Sequence, residues 1–196
     1  MITNPVRLDE WKLLQPYVVR GDAMLELGNK INTKCGASGD QSVTYKEFFE
    51  SLGVDHVSVD INGQDGALPI DLRGDLRLAL DSYDVPILYD VVTNIGTTEH
   101  VVDQQEAVWR NLWGVLKVGG VLLSITPKPG DWRWHGDWYP RDTFYERLAA
   151  LNGMEDVQLG TYGDAPRRNL YLVGRKVADT VFQWPGDGLL YRNRRP

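Results

Sequence analysis

Apolar and polar positions alternate along the chain in blocks that predict an α/β protein. Short runs dominated by apolar residues, each next to turn residues, predict strands at residues 23–27, 56–60, 67–72, 91–92 and 121–125. Apolar residues at helical spacing predict helices at residues 5–19, 44–52, 76–80, 97–118 and 142–151. The order of these blocks favours a mostly parallel sheet with helices on both faces, which is a doubly wound fold.

The central part of the chain predicts a β-α-β unit. The apolar run Val91–Val92 is followed by a helix pattern for which Thr97 or Thr98 is the predicted N-cap and Glu99 supplies negative charge to the first turn. Gly119-Gly120 is predicted to end that helix, before the next strand. Such units cross over right-handed into parallel sheets, and ligands bind beyond the carboxyl ends of their strands. We therefore expect function in the loop at residues 94–100 and in the loop after Thr126.

The last third of the chain departs from this alternation. Two strands are predicted at residues 154–162 and 169–177 with no helix between them, so the last strand is expected to run antiparallel. A tail, residues 178–196, follows. It is expected to pack on the domain or on a second subunit, which leaves a homo-oligomer open. No domain boundary is visible, and residues 1–196 are predicted to form a single domain.

Composition and charge exclude several classes of function. The chain has 196 residues with a formal net charge of −6, which argues against a nucleic-acid partner because phosphate binding needs a basic face. No apolar run approaches membrane-spanning length. The single cysteine, Cys35, permits no internal disulfide or cysteine-rich metal centre, so we expect a cytoplasmic protein without a bound metal.

Three sequence pieces carry a family resemblance. These pieces are AMLELGN at residues 23–29, YDVVTNIGTTEHV at 89–101 and LWGVLKVGGVLLSITP at 112–127. Together they resemble the class I S-adenosylmethionine (SAM)-dependent methyltransferases. The resemblance implies a seven-stranded Rossmann-like sheet with an antiparallel last strand, SAM as cofactor, and methyl transfer to a small-molecule acceptor.

The resemblance also implies which residues contact the cofactor. Glu26, Gly28 and Asn29 would face its amino-acid part, and Asn94 and Gly96 would line the methyl side. The later glycines of the family's first loop are replaced here by Asn29, Lys30 and Ile31.

Acidic residues near strand ends complete the expected cofactor site. Asp60 ends the second predicted strand, where a carboxylate accepts hydrogen bonds from ribose hydroxyls. By resemblance, Ile61 would lie against the adenine face and Asp71 would bind the adenine amino group.

Residues 127–140 form the most unusual stretch in composition. Proline and glycine predict a loop, which nevertheless contains the large aromatic residues Trp132, Trp134, Trp138 and Tyr139. We expect these rings to form a wall of the acceptor pocket. His135 lies among them and, with His100, is a candidate general base. The alternative is a structural plug that seals the end of the sheet.

Two other functions stay open from the sequence. A nicotinamide-dependent dehydrogenase would share the acidic ribose contact. However, the glycine motif of such dehydrogenases is missing from this sequence, and parallel terminal strands would be needed to favour this function. A methyltransferase-like protein that binds a ligand without catalysis would fit the altered glycine loop.

Overall fold

The computed structural model describes residues 8–32, 43–133 and 135–193. The α-helices are, in chain order, α1 (Leu8–Leu14), α2 (Tyr45–Ser51), α3 (Leu76–Ser82), α4 (Gln105–Val115) and α5 (Asp142–Leu151). The strands are β1 (Ala23–Leu27), β2 (Ile31–Asn32), β3 (Val43–Thr44), β4 (Asp55–Val59), β5 (Tyr89–Ile95), β6 (Leu116–Pro127), β7 (Trp138–Pro140), β8 (Glu155–Tyr162), β9 (Asn169–Arg175) and β10 (Leu190–Arg192).

The main sheet has six strands in the order β4-β1-β5-β6-β9-β8. Neighbours among β4, β1, β5 and β6 are parallel, whereas β9 runs antiparallel to both β6 and β8. The prediction of a mostly parallel sheet with an antiparallel last strand is therefore confirmed. The carboxyl ends of the four parallel strands meet at one edge, which is where the cleft described below opens.

The predicted count of seven strands is wrong by one, because residues 67–72 do not form a strand. Only an isolated parallel bridge, from Val59 to Leu68, joins this segment to the sheet. Leu68 bonds to the end of β4 through both its N–H and its carbonyl, but Ile70 then donates its N–H back to the Leu68 carbonyl at 2.9 Å, so the ladder ends there. The segment instead lies across the end of β4, where Asp60 donates its backbone N–H to the Leu68 carbonyl at 3.0 Å.

The helix of the central β-α-β unit is shorter than predicted. Residues 98–100 form a separate 3₁₀ turn, and α4 begins only at Gln105 and ends at Val115. Neither Thr97 nor Thr98 is its N-cap, and Gly119-Gly120 lies inside β6 rather than at a helix end. Glu99 is consequently a buried residue of the 3₁₀ turn and not an exposed charge on a helix.

Helices cover both faces of the sheet. On one face, α1 and α2 pack an apolar cluster that includes Leu14, Phe48 and Phe49. On the other, α3, α4 and α5 pack the larger cluster. A capping box at Thr44 and Glu47, in the sequence pattern T-x-x-E, explains where α2 begins. No helix in the described part of the chain is long and apolar enough to cross a bilayer.

The C-terminal tail packs on its own domain. Strand β10 pairs antiparallel with β7, so that Tyr191 lies opposite Tyr139. Asn193 extends this contact by donating its backbone N–H to the Asp137 carbonyl at 2.8 Å. The tail thus fixes the tryptophan-containing loop that leaves β6.

Candidate functional site

A cleft of about 450 Å³ lies beyond the carboxyl ends of β1, β4 and β5. Its lining comes from residues far apart in sequence, namely 28–30, 59–61, 70–73, 96–97 and 100–102. Apolar side chains form part of the walls, and Asp60, Asp71, Arg73, Lys30 and His100 supply charged or titratable groups. This composition suits an organic ligand with both apolar and polar parts.

The turn after β1 is shaped by Gly28. Gly28 has φ of +77°, and an added Cβ would lie 2.4 Å from the Thr97 hydroxyl oxygen. Thr97 in turn donates its hydroxyl to the Leu27 carbonyl at 2.7 Å, which ties the loop after β5 to the end of β1. Glycine is needed here for its backbone conformation and for this close approach.

The acidic residue predicted at the end of the second strand lines the cleft. The Asp60 carboxylate accepts a hydrogen bond from the backbone N–H of Asn62 at 3.0 Å, which fixes the side chain in the turn. The next residue, Ile61, also lines the cleft and is 70% exposed. An exposed isoleucine beside a carboxylate provides an apolar contact surface next to a hydrogen-bond acceptor.

Asp71 lines the same cleft but is paired within the chain. The Arg73 guanidinium donates to both carboxylate oxygens, with one contact at 2.6 Å, and it holds the pKa of the Asp71 carboxyl below its usual range. Asp71 is thus ionised at neutral pH. A ligand amino group that bound Asp71 would share the carboxylate oxygens with Arg73.

Glu26 does not face the cleft, contrary to the expectation from the sequence. Side chains alternate along a strand, and Glu26 points to the face covered by α2 whereas Leu25 and Leu27 point to the other. Its carboxyl is fully buried, 3.4 Å from the His56 imidazole. Burial raises the pKa of Glu26 well above its usual range and lowers that of His56 to about 4, so the imidazole is neutral near pH 7.

Asn94 is also buried away from the cleft lining. Its amide donates to the hydroxyls of Thr98 and Ser124, each at 2.9 Å, and its carbonyl accepts the Thr98 backbone N–H. Asn94 therefore shapes the loop at residues 94–98, and Gly96 and Thr97 are the residues of that loop that line the cleft.

The aromatic residues after β6 do not line the cleft where the structure describes them. Tyr139 is fully buried and donates its hydroxyl to the Trp132 carbonyl, and the indole N–H groups of Trp132 and Trp138 bind the carbonyls of Arg168 and Val102. These contacts occupy the polar groups of the three rings within the protein, and Trp132 also lines a separate cavity of about 410 Å³. Trp134 lies outside the described residues.

His135 and His100 meet at the buried carboxylate of Glu99. The Nε2 atoms of His135 and His100 lie 3.8 Å and 4.0 Å from Glu99 Oε1, and the two rings are 4.7 Å apart in an edge-to-face arrangement. His100 lines the cleft, and His135 lies behind it. Burial lowers the pKa of His100, while Glu99 opposes that shift.

Gly136 brings this loop down onto Glu99. It has φ of +69°, and an added Cβ would lie 2.8 Å from Glu99 Cγ. The next backbone N–H, of Asp137, donates to the Glu99 carbonyl at 2.6 Å. This backbone contact with Glu99 thus positions the His135 side chain against the Glu99 carboxylate.

Sequence reasoning missed three residues of this site. The sequence pattern predicts Thr97 only as a helix cap, Glu99 only as a charge in a helix, and Lys30 only as the replacement of a glycine. An available signal was the Glu99-His100 pair directly after a strand, because adjacent titratable residues at a strand's carboxyl end fall where ligands bind.

Comparisons with known proteins identify the fold. No protein-family model and no curated protein sequence matches this chain. A SAM-dependent methyltransferase from Archaeoglobus fulgidus superposes with a TM-score of 0.59 at 13% identity, covering 85% of this chain and 92% of the other. Similar enzymes from Corynebacterium glutamicum and Methanosarcina mazei give TM-scores of 0.51 and 0.50, each at 14% identity. They cover 84% and 85% of this chain, and 86% and 98% of their own. The chain therefore has the fold of class I SAM-dependent methyltransferases.

Proposed function

We propose that this protein binds SAM in the cleft at the carboxyl ends of β1, β4 and β5 and transfers its methyl group to a small-molecule acceptor. The observation that carries the proposal is that Gly28, Asp60 and Ile61 line the same cleft, at this edge of a methyltransferase fold. The dehydrogenase alternative would be favoured only by parallel terminal strands, and β8 and β9 are antiparallel. Solved structures of the same fold with TM-scores of 0.50 or more include SAM-dependent methyltransferases.

Each part of the cofactor has a chemically suitable partner in the cleft. The Asp60 carboxylate accepts hydrogen bonds from the ribose hydroxyls, and Ile61 packs on the adenine ring. Asp71 accepts from the adenine amino group on the side that Arg73 leaves free. Gly28 and Asn29 border the amino-acid part, where the Lys30 ammonium pairs with the carboxylate, and Gly96 borders the methyl side.

Calorimetry of the full-length protein with SAM, S-adenosylhomocysteine and NAD tests the proposal. We expect binding of the first two ligands and none of NAD. Binding of NAD alone would favour the dehydrogenase. Binding of SAM without turnover against a panel of hydroxyl, amine and thiol acceptors would favour a non-catalytic binding protein.

His100 and His135 serve the acceptor side of the reaction in this proposal. We expect His135→Ala to slow methyl transfer by roughly a hundredfold, as loss of acid–base assistance does, while the affinity for SAM stays nearly unchanged. The control is His56→Gln, which changes a histidine far from the cleft and should leave the transfer rate unaffected. A normal rate in His135→Ala would remove this histidine from the reaction.

We also propose that the tail, residues 178–196, mediates self-association. This proposal concerns only the part of the tail that does not pair with another strand of the same chain. The pairing of β10 with β7 occupies residues 190–192 within the chain, and Val181 is 78% exposed. Light scattering of the full-length protein and of Val181→Asp tests it. A dimer that the substitution disrupts is expected, and a monomer in both samples would contradict it.

A further inference from the structure

Glu99, His100 and His135 form a three-ligand cluster that the sequence did not predict. Each offers one ligand atom, and these atoms all lie within 4.8 Å of one another. Two ligands come from the 3₁₀ turn after β5 and the third from the loop after β6, so the two loops that end neighbouring parallel strands build the cluster. This is the edge of the sheet at which ligands bind.

The carboxylate at the centre of the cluster lacks a hydrogen-bond partner in the described part of the chain. Glu99 is only 1% exposed, and neither of its carboxylate oxygens accepts a hydrogen bond from the described residues. A buried polar group without a hydrogen bond is costly, and a buried negative charge without a cation more so. The Lys30 ammonium lies near the same carboxylate, because a Cβ added to Gly96 would be 3.2 Å from Lys30 Nζ and 3.4 Å from Glu99 Oε1. Lys30 makes no ion pair with Glu99 among the described contacts.

The spacing of the ligand atoms leaves room for an ion between them. A direct hydrogen bond would bring nitrogen and oxygen to about 2.7–2.9 Å, whereas both imidazole nitrogens stand 3.8–4.0 Å from Oε1. Zinc lies about 2.0–2.2 Å from such ligands, so ligand atoms of a tetrahedral site are roughly 3.4 Å apart. Both imidazoles are about half exposed, so they can move by the roughly 0.4–1.4 Å by which separations of 3.8 Å to at most 4.8 Å exceed this spacing.

We propose that Glu99, His100 and His135 bind a divalent transition-metal ion, with zinc as the representative ion. Two histidines and one glutamate are a known ligand set of zinc sites that keep a fourth position open, and two histidines with a carboxylate also suit ferrous iron. His100 lines the cleft, so the open position is directed to the cleft side where the acceptor approaches. The single buried carboxylate supplies the anionic ligand.

The metal would define the acceptor class, and this part rests on the proposed function. A metal ion lowers the pKa of a bound hydroxyl, so it selects acceptors that bind through oxygen. With the two histidines held as metal ligands, they no longer act as bases, so the acceptor hydroxyl loses its proton to solvent, and an oxygen lone pair forms the bond to the methyl carbon. The carbon–sulfur bond breaks as this bond forms, and its electron pair stays on sulfur, leaving S-adenosylhomocysteine.

Metal titration of the full-length protein, without SAM or acceptor, tests the site itself. Every sample carries Cys35→Ser, so that zinc bound through the only thiol is excluded. After removal of metal by a chelator, we expect one zinc per chain with a Kd at or below about 1 μM. Cobalt in place of zinc should produce visible absorption bands of a site with few ligands.

Two variants remove ligands and two serve as matched controls. Glu99→Gln and His135→Ala should each weaken zinc binding at least a hundredfold. Glu106→Gln removes an exposed carboxylate on α4 and His56→Gln removes a histidine outside the cluster, and both should bind zinc normally. Because His135 is about half exposed, its variant should fold. If Glu99→Gln does not fold, His100→Ala replaces it.

Zinc binding that is absent, or unchanged in the ligand variants, would overturn the inference. These outcomes are separate from those of the calorimetry with SAM. SAM binding without zinc binding would refute the metal site alone, and zinc binding without SAM binding would refute the proposed function alone.

Discussion

At the scale of single residues, the proposed cofactor site can be tested at one carboxylate. Asp60 lines the cleft and already holds the turn that presents Ile61, through its bond to the Asn62 backbone. The charge and the turn are therefore separable functions of the same side chain.

Replacement of Asp60 should weaken SAM binding without unfolding the protein. We expect Asp60→Ala to cost about 1.5–3 kcal/mol of binding free energy, as loss of a charge-assisted hydrogen bond does. Asp60→Asn keeps an acceptor for the Asn62 N–H, so it separates the charge from the turn. Asp81→Ala, on the exposed side of α3, is the control for calorimetry. Equal affinity of the folded Asp60→Ala variant and the parent protein would remove Asp60 from the site.

The buried pair of Glu26 and His56 gives the molecule a pH-dependent stability. His56 is stacked on Phe49, and its pKa is lowered to about 4 mainly by burial and then by Lys46. In the unfolded chain the imidazole takes up a proton below about pH 6.5. Between pH 6.5 and 4 the unfolded state thus binds more protons, and acid favours unfolding.

We expect this histidine to make the free energy of unfolding fall as pH falls from about 6.5 to 4. Its contribution is at most about 1.4 kcal/mol per pH unit, the value for one proton. Urea unfolding at several pH values should show a shallower slope of unfolding free energy against pH in His56→Gln, since glutamine does not titrate.

Glu26→Gln is the second variant. It should be more stable than the parent above about pH 4.5, because the raised pKa of Glu26 costs stability as pH rises toward it. Parallel pH profiles in all three proteins would contradict this account.

At the scale of elements, the junction between α4 and β6 depends on a buried lysine from the end of the chain. The Lys176 ammonium donates to the carbonyls of Trp113 and Leu116 at 3.1 Å and 3.0 Å, and it lies 4.8 Å from the centre of the Trp113 ring. These carbonyls at the C-terminal end of α4 would otherwise be buried and unsatisfied. Lys176 thus allows the helix to pass directly into a strand.

Lys176→Met should destabilise the protein by about 2–3 kcal/mol, because it removes charged donors from two buried carbonyls. Lys117→Met is the matched control. Lys117 pairs with Asp90 at the surface, and such pairs contribute about 1 kcal/mol or less. Denaturant unfolding of both variants measures the difference. Equal stabilities would show that the carbonyls find other donors when the lysine is absent.

At the scale of the whole molecule, the end of the chain holds the loop that supplies His135. Strand β10 pairs with β7, and the Asn193 side-chain amide donates to the carbonyls of His135 and Gly136, both at 3.2 Å. The position of His135 therefore depends on residues almost sixty positions later in the sequence.

Removal of residues 190–196 should loosen this loop while the SAM cleft persists. We expect limited proteolysis within residues 128–139 to be roughly tenfold faster, the factor that a loss of about 1.4 kcal/mol produces. A chain that lacks only residues 194–196 keeps β10 and Asn193 and is the control. Cleavage at the same rate in both truncated proteins would show that the tail does not hold the loop.

The fold and part of the cleft followed from the sequence. Alternating apolar runs and helical spacing are local properties, so they determined β1, α5 and the antiparallel terminal strands without knowledge of the partners. Asp60 lines the cleft as predicted, because the carboxyl end of a parallel strand has a fixed position relative to the sheet, and Gly28 and Ile61, expected from the family resemblance, line it too. The failed strand at residues 67–72 shows the limit of a local pattern, since an apolar run does not reveal that Ile70 donates its N–H back to the Leu68 carbonyl instead of extending the ladder.

Only the tertiary structure decided which side chains meet. Glu26 occupies the expected sequence position, but its strand register directs it into the core and leaves the cleft to its neighbours. Glu99 and His135 are distant in sequence, and they meet because a glycine turn and a C-terminal strand bring one loop onto another. Local sequence determines which elements form. The contacts between loops depend on long-range packing, which no single segment encodes.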